Sequence, residues 1–212
     1  MNILAINTVG PACEIGVQTA HAEFCVREEM TRGHDARIAV LTGQAVAESK
    51  LTWSELDRIC VITGPGSFTG IRVGVAFAHG LALALRLPVH GVSALEAIGV
   101  EVRENVLAIL PAQRRPPDRT WWAQRLNDGL GASDPVEIDE VAVREMGSSS
   151  AVVVGLAPPD ALPVRFVERA PSALAAASVC RRMSKSGGPV RPVYVRPPDA
   201  TPMASVSSKP VS

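Results

Sequence analysis

The sequence lacks the residue pairs that mark most metal and disulfide sites. Its 212 residues include four cysteines, which are far apart and form no C-x-x-C pair: Cys13, Cys25, Cys60 and Cys180. This spacing argues against a disulfide framework or a zinc site and favours reduced thiols in a cytosolic protein. The four histidines are scattered too, and none forms an H-x-x-x-H or H-E-x-x-H pair, so a metal-dependent hydrolase is poorly supported.

Nucleophile and phosphate motifs are also missing. A Walker loop needs Lys and then Ser or Thr after its last glycine, but Gly70 is followed by Ile71 and Arg72. A nucleophile elbow needs glycines where Pro65 and Thr69 stand. No two carboxylates are obviously placed for acid–base chemistry. We therefore predict no catalytic residue and no metal site.

An excess of charge of either sign is absent as well. Lysine plus arginine equal aspartate plus glutamate, at 21 each, and the pI is near 6.9. This balance argues against a chain that binds nucleic acid alone, because such binding is mostly phosphate neutralisation. We find no signal-peptide pattern at the start and no uncharged run of membrane-spanning length, although residues 71–85 come close. We expect a cytoplasmic protein without a membrane segment.

The chain is rich enough in apolar residues, at 47%, to bury a core. Hydrophobic patterns predict the order βββαβα followed by βα. This order is that of the actin-like, ribonuclease H-like α/β fold, and it defines a predicted N-terminal lobe over residues 1–102. The predicted strands cover residues 2–6, 13–18, 22–29, 58–63 and 88–92, and the main helices cover 35–50 and 71–85.

A composition shift near Arg103 predicts a smaller second lobe, residues 103–198. It should contain strands at 106–110, 120–126, 152–154 and 192–196, an alanine-rich helix at 171–183 and a proline-rich loop at 111–118. Residues 199–212 are rich in Pro, Ser, Thr and Ala and are predicted to form a disordered tail.

The predicted helix at 71–85 is apolar nearly all round. A helix that covers one face of a sheet should have a polar back, so we expect a second domain or protein to cover the other side. Gly74, Ala78 and Ala82 recur every four residues, which favours close approach of a partner helix. Ala78→Glu or Ala82→Arg is predicted to abolish partner binding without unfolding the chain.

The loop before this helix has two interpretations. It could be a structural turn that packs strand against helix, or its backbone N–H groups could contact a phosphate. Ser67 or Thr69 is the predicted helix cap. The residues concerned are Gly64, Gly66, Ser67, Thr69 and Gly70.

Two further positions leave alternatives open. Nucleotide-binding actin-like proteins carry Asp at the end of the first strand, whereas Asn7 cannot supply the charge that holds a divalent cation. An asparagine at this position weakens the case for ATP hydrolysis. It is also typical of a turn residue whose side chain bonds its own backbone. Later, arginines and tryptophans cluster in a pattern that predicts either RNA contact or a solvated loop beside a half-buried hairpin: Arg114, Arg115, Arg119, Arg125, Trp121 and Trp122.

Several strings resemble the bacterial TsaB (YeaZ) family: ILAINT at 3–8, GPGSFTGIRVG at 64–74, GLA at 80–82, VSALEA at 92–97 and PVYVRPPDA at 192–200. The resemblance is dense over residues 1–100. It implies a non-catalytic relative of TsaD that works with TsaD and the ATPase TsaE to threonylcarbamoylate the adenosine beside the anticodon of tRNAs reading A-starting codons. The chain departs from the family at Asn7, where Asp is usual, and over residues 110–117.

The resemblance also implies partners and a surface. The two long N-terminal helices would contact TsaD or a second copy of the chain, and tRNA would be reached only through the complex. We predict no cofactor on this chain alone, with ATP or ADP at the partner interface left open. An actin-like phosphotransferase or an M22-type peptidase is the alternative. The predicted partner-binding residues are His34, Ile38, Leu41, Ala45, Arg72, Val75, Ala78, His79 and Ala82.

Overall fold

The structure is a computed structural model that describes residues 1–112, 119–184, 187 and 190–195. Most of the predicted proline-rich loop and the predicted tail at 199–212 lie outside the described residues, as do Arg114 and Arg115. Residues 190–195 form no strand, so the strand predicted from residue 192 is wrong over its described part.

The first sheet has the strand order β3-β2-β1-β4-β5. Its strands are β1 (Ile3–Asn7), β2 (Ala12–Gln18), β3 (Glu23–Glu29), β4 (Arg58–Ile62) and β5 (Val89–Val92). The first three form an antiparallel meander, and β4 and β5 run parallel to β1. Every residue of β1 and β4 is buried, as expected for central strands covered on both faces.

Two helices, α1 (His34–Glu48) and α2 (Phe68–Leu85), pack on this sheet. A short 3₁₀ helix lies at Trp53–Glu55, and helix α3 (Ala94–Gly99) follows β5 in the chain. Ser67 caps α2, because its Oγ accepts a hydrogen bond from the Gly70 N–H at 3.2 Å. Helix α1 begins at His34 and carries Asp35 in its first turn. The predicted order βββαβα, then βα, is confirmed.

The second sheet has the order β11-β10-β6-β7-β8, and β9 pairs with β7. Helix α4 packs on this sheet over a small core that includes Trp121 and Val143. The elements are β6 (Asn105–Ala112), β7 (Thr120–Asn127), β8 (Leu130–Gly131), β9 (Val136–Asp139), α4 (Glu140–Ser148), β10 (Val152–Gly155) and β11 (Phe166–Glu168).

The last helix returns to the first sheet. Helix α5 (Ala173–Arg182) packs across β1, β2 and β4 and contacts α3. The chain beyond it also joins the first lobe, where the Val193 N–H donates to the Thr63 carbonyl oxygen at 2.8 Å. The predicted division at residue 103 therefore misassigned these segments, because the buried alanine face of α5 fits the first sheet.

Candidate functional site: the glycine loop and the faces of α1 and α2

The glycine loop between β4 and α2 packs directly against the turn after β1. The Ser67 N–H donates to the Val9 carbonyl oxygen at 2.9 Å, and the Thr8 hydroxyl donates to the Gly70 carbonyl oxygen at 2.7 Å. A Cβ at Gly70 would lie 2.0 Å from the Thr8 carbonyl oxygen, and one at Gly66 would lie 2.6 Å from that of Val9. Close backbone approach therefore requires glycine at both positions.

The other end of the loop is bonded to α3. Gly64 has φ +110°, and its carbonyl oxygen accepts the Ala94 N–H at 2.7 Å. The N–H groups of Ser67 and Gly70 already donate within the chain, while Thr69 is exposed. These contacts favour the structural-turn interpretation, and no bound phosphate is needed to explain the loop.

The end of β1 is occupied by groups of the chain itself. Asn7 is buried; its Oδ1 accepts the Val9 N–H at 3.2 Å, as in a turn residue that bonds its own backbone. Its Nδ2 donates to Glu14 Oε2 at 3.2 Å and to the Pro171 carbonyl oxygen at 3.0 Å. This position therefore does not fit the metal and phosphates that an actin-like protein holds there with aspartate.

Glu14 is a buried carboxylate that sequence reasoning missed. Its Oε1 accepts the Ala173 N–H at the start of α5 at 3.2 Å and a hydrogen bond from Cys25 Sγ at 3.4 Å. The carboxylate thus joins β1, β2 and the N-terminus of α5, where the helix dipole favours negative charge. A glutamate within an alternating strand gives no sequence signal that it is buried.

Helix α2 presents its small-residue row inward, which corrects the predicted partner face. A Cβ at Gly74 would lie 2.3 Å from Thr8 Oγ1, and Ala78 is fully buried. Val75 and Ala82 are each 7% exposed. Small side chains on this side let α2 approach its own sheet, so no partner helix can reach them in the folded chain.

The same correction applies to α1. Its predicted contact residues His34, Ile38, Leu41 and Ala45 are at most 6% exposed, because they face β2 and β3. Among the buried side-chain atoms of the described residues, His34 Nε2 is one of two with no hydrogen-bond partner. These four residues cannot form an outward surface.

The opposite side of α2 is apolar and open. Leu83 is 83% exposed, and a Cβ built at Gly80 meets no atom within 4 Å. Ala76, Gly80 and Ala84 are exposed and again recur every four residues. We call Ala76, Gly80, Leu83 and Ala84 the outer strip. By length and composition α2 could also cross a membrane, and only a third of it is buried within the chain.

Two predicted partner residues do lie outside, next to the C-terminal segment. Arg72 is stacked over the Phe68 ring at 4.0 Å, and its Nε donates to the Tyr194 hydroxyl at 3.1 Å. His79 Nε2 lies 2.9 Å from the Val190 carbonyl oxygen. The C-terminal segment therefore holds both side chains against α2.

Within the described part of the tryptophan hairpin, Trp121 offers no stacking surface for RNA. Trp121 is 1% exposed, and its Nε1–H donates to the Ala157 carbonyl oxygen at 2.8 Å. The Arg125 guanidinium bonds the hydroxyls of Ser149 and Ser150 at 2.8 and 3.3 Å. The described part of this cluster therefore resembles the half-buried hairpin of the second interpretation. Across the described ranges, no group of three or more His, Cys, Asp or Glu side chains is placed to hold a metal ion.

Two helix-covered sheets, the first in the order β3-β2-β1-β4-β5, define an actin-like, ribonuclease H-like α/β protein. Two solved structures of Pseudomonas aeruginosa proteins share this fold. One is an uncharacterised protein with similarity to peptidase YeaZ, with a TM-score of 0.74 and 22% identity over 92% of this chain and 99% of that one. The other is YeaZ, with a TM-score of 0.69 and 23% identity over 85% and 91%.

Sequence comparison identifies the family. Residues 24–114 match the family described as TsaD, tRNA N6-adenosine threonylcarbamoyltransferase. An uncharacterised Mycobacterium tuberculosis protein is 34% identical over 210 residues, covering 95% of each chain. The Escherichia coli tRNA threonylcarbamoyladenosine biosynthesis protein TsaB is 32% identical over 153 residues, or 69% of this chain and 64% of that protein. The chain belongs to the TsaB (YeaZ) family.

Proposed function

We propose that this chain is a non-catalytic subunit in tRNA threonylcarbamoyladenosine biosynthesis. In this proposal it binds a TsaD-type threonylcarbamoyltransferase through the outer strip of α2 and the exposed side of α1. The names of the TsaB relatives and the family match over residues 24–114 support the pathway. The exposed apolar side of α2 supports the surface and carries the proposal.

The outer strip has the chemistry of a helix-packing surface. Its small residues at four-residue intervals form a shallow groove, and Leu83 projects beside it with most of its side chain in water. The glycine at position 80 has no packing reason within the chain, since the space around it is open. On α1, Val40 is also exposed, at 46%. A partner helix placed here would bury apolar area worth about 25 cal/mol per Å².

The absence of catalysis is proposed from the end of β1. A nucleotide-hydrolysing relative would need a carboxylate free to hold a cation there, whereas Asn7 and Glu14 bond each other and the start of α5. The proposal therefore assigns no cofactor to the chain alone. TsaE would act on the assembled complex, and tRNA would be contacted through it.

The test compares charged substitutions on two exposed apolar sites. Leu83→Glu and Gly80→Arg alter the outer strip, and Val141→Glu is the matched control on α4, where Val141 is 59% exposed. Binding to the purified TsaD of the same organism is measured by calorimetry, with thermal unfolding of each variant as the folding control. We expect the two strip variants to lose at least tenfold in affinity and the control to bind like the unsubstituted chain.

Reconstitution gives the second readout. TsaD, TsaE and tRNA are incubated with ATP and a threonylcarbamoyl donor, with and without this chain. Modified adenosine should require the chain, and Leu83→Glu should reduce it. Unchanged TsaD affinity in both folded strip variants would show that the surface is wrong. Steady ATP turnover by the isolated chain would contradict the non-catalytic role. Loss of self-association instead of TsaD binding would assign the strip to a homodimer.

A further inference from the structure

The packing of α5 on β4 brings two cysteines together. Cys60 lies in the middle of β4 on the face that α5 covers, and its Sγ donates to the Ala176 carbonyl oxygen at 3.5 Å. Ala176 and Cys180 are one helical turn apart and so share a face of α5. The Cys60 and Cys180 side chains therefore lie close together where α5 packs on β4. Both side chains are fully buried.

A buried arginine lies beside this pair. Arg58 is 5% exposed, and its Nη1 donates to the carbonyl oxygens of Cys180 and Met183 at 3.1 and 3.2 Å. Among the described residues, no carboxylate lies within 4.0 Å of its guanidinium. A buried cation is costly unless an anion compensates it, and Arg58, which bonds the Cys180 carbonyl oxygen, lowers the pKa of the Cys180 thiol by its charge.

The two thiols consequently differ in acidity. The hydrogen bond from Cys60 and the charge of Arg58 lower the pKa of the Cys180 thiol, although burial opposes them. Burial and the interaction with Cys180 raise the pKa of the Cys60 thiol well above its usual value. Thiolate character is what makes a cysteine reactive, so Cys180 is the nucleophile of the pair and Cys60 the resolving thiol.

A cavity lies next to residues that flank the pair. It has a volume of about 390 Å³ and is lined by His90 and Met183 among others. His90 is the cross-strand neighbour of Cys60 on β5, and the Met183 carbonyl oxygen accepts from Arg58. A cavity needs only about 10–15 Å³ to hold one water molecule, so hydrogen peroxide fits easily.

We infer that Cys60 and Cys180 form an oxidisable pair that a hydroperoxide converts to a disulfide between β4 and α5. The Cys180 thiolate attacks one peroxide oxygen, the O–O bond breaks, and hydroxide leaves. The Cys60 sulfur then attacks the sulfenic sulfur; an S–S bond forms, the S–O bond breaks, and water leaves with the Cys60 proton. In total, two thiols and one hydrogen peroxide give one disulfide and two waters.

Such a bond would fix α5 to the first sheet and would close a long loop of the unfolded chain, which stabilises the folded state. It would also restrain the segment after α5 that contacts α2. The inference does not depend on the proposed function, because it concerns the interior of this chain and needs no partner for its test.

The experiment exposes the full-length folded chain to graded hydrogen peroxide at several protein concentrations. Remaining thiols are alkylated in denaturant, and peptides are analysed by mass spectrometry without reduction. We expect two of the four thiols to be lost, a linked Cys60–Cys180 peptide, and alkylated Cys13 and Cys25. The rate should not depend on protein concentration, dithiothreitol should reverse the reaction, and the oxidised chain should melt at a higher temperature.

Two variants serve as controls. Cys25→Ser removes the exposed thiol and should leave the linked peptide unchanged, whereas Cys180→Ser should leave Cys60 free for alkylation. If Cys180→Ser folds poorly, the linked Cys60–Cys180 peptide in the oxidised, unsubstituted chain still tests the inference. The inference fails if Cys25 is fully oxidised while Cys60 and Cys180 still alkylate, or if the linked peptide forms only in denaturant.

Discussion

Ala78→Glu tests which side of α2 faces the sheet. Ala78 is fully buried, so the new carboxyl group must enter the core. Keeping it neutral at pH 7, from an unperturbed pKa near 4.3, costs about 3.7 kcal/mol at 1.36 kcal/mol per pKa unit. Fitting the longer side chain adds about 1–3 kcal/mol. The sum, about 5–7 kcal/mol, approaches the whole stability of many domains, about 5–15 kcal/mol.

The pH dependence separates this cause from simple overpacking. Burial raises the pKa of the new carboxyl group in the folded state above its unfolded value. The variant is therefore least destabilised below about pH 4.3 and loses further stability as the pH rises towards the folded pKa, by about 1.4 kcal/mol per pH unit. Urea unfolding of the variant and the unsubstituted chain at several pH values measures this slope.

Gly80→Glu is the matched control, two residues along the same helix. The space around Gly80 is open, and replacing glycine within an exposed helix stabilises by up to about 1 kcal/mol. This variant should keep its stability at every pH and lose only partner binding. If Ala78→Glu instead unfolds like the unsubstituted chain, then Ala78 is not packed on the sheet and the orientation of α2 described here is wrong.

Two further substitutions probe the turn after β1. Gly70→Ala should cost several kcal/mol in urea unfolding, because its Cβ would lie 2.0 Å from the Thr8 carbonyl oxygen, whereas Gly43→Ala, with open space around it, should change stability by less than about 1 kcal/mol. Asn7→Asp places a carboxylate against Glu14, so we expect about 2–4 kcal/mol of destabilisation at pH 8, much of it recovered at pH 5 as the pair takes up a proton. Equal destabilisation at both pH values would argue against this like-charge contact.

The strand–loop–helix unit at residues 58–85 could be predicted from sequence because its signals are local. A β-branched run ends at glycines and a proline, Ser67 follows as the cap, and an apolar helix begins. Glycine is needed at positions 66 and 70 for steric reasons that no other residue satisfies. The order of the first eight elements followed from the same kind of signal.

Contacts between distant residues could not be predicted in this way. Glu14 is hydrogen-bonded to the start of α5, and Arg58 is hydrogen-bonded to its end. Helix α5 itself was predicted to lie in the second lobe, whereas it packs on the first sheet. Each pairing joins positions more than 100 residues apart, and nothing in the local pattern encodes the partner. The proximity of Cys60 and Cys180 arises in the same way.

The sequence alone determined that α2 is a helix and that it is too apolar to be exposed to solvent on every side. It could not determine which side faces inward, since small residues recur every four positions both at 74, 78 and 82 and at 76, 80 and 84. Only the tertiary structure decided between the two rows. Gly74 packs closely against Thr8 and β4 and Ala78 is fully buried, whereas Gly80 faces open space.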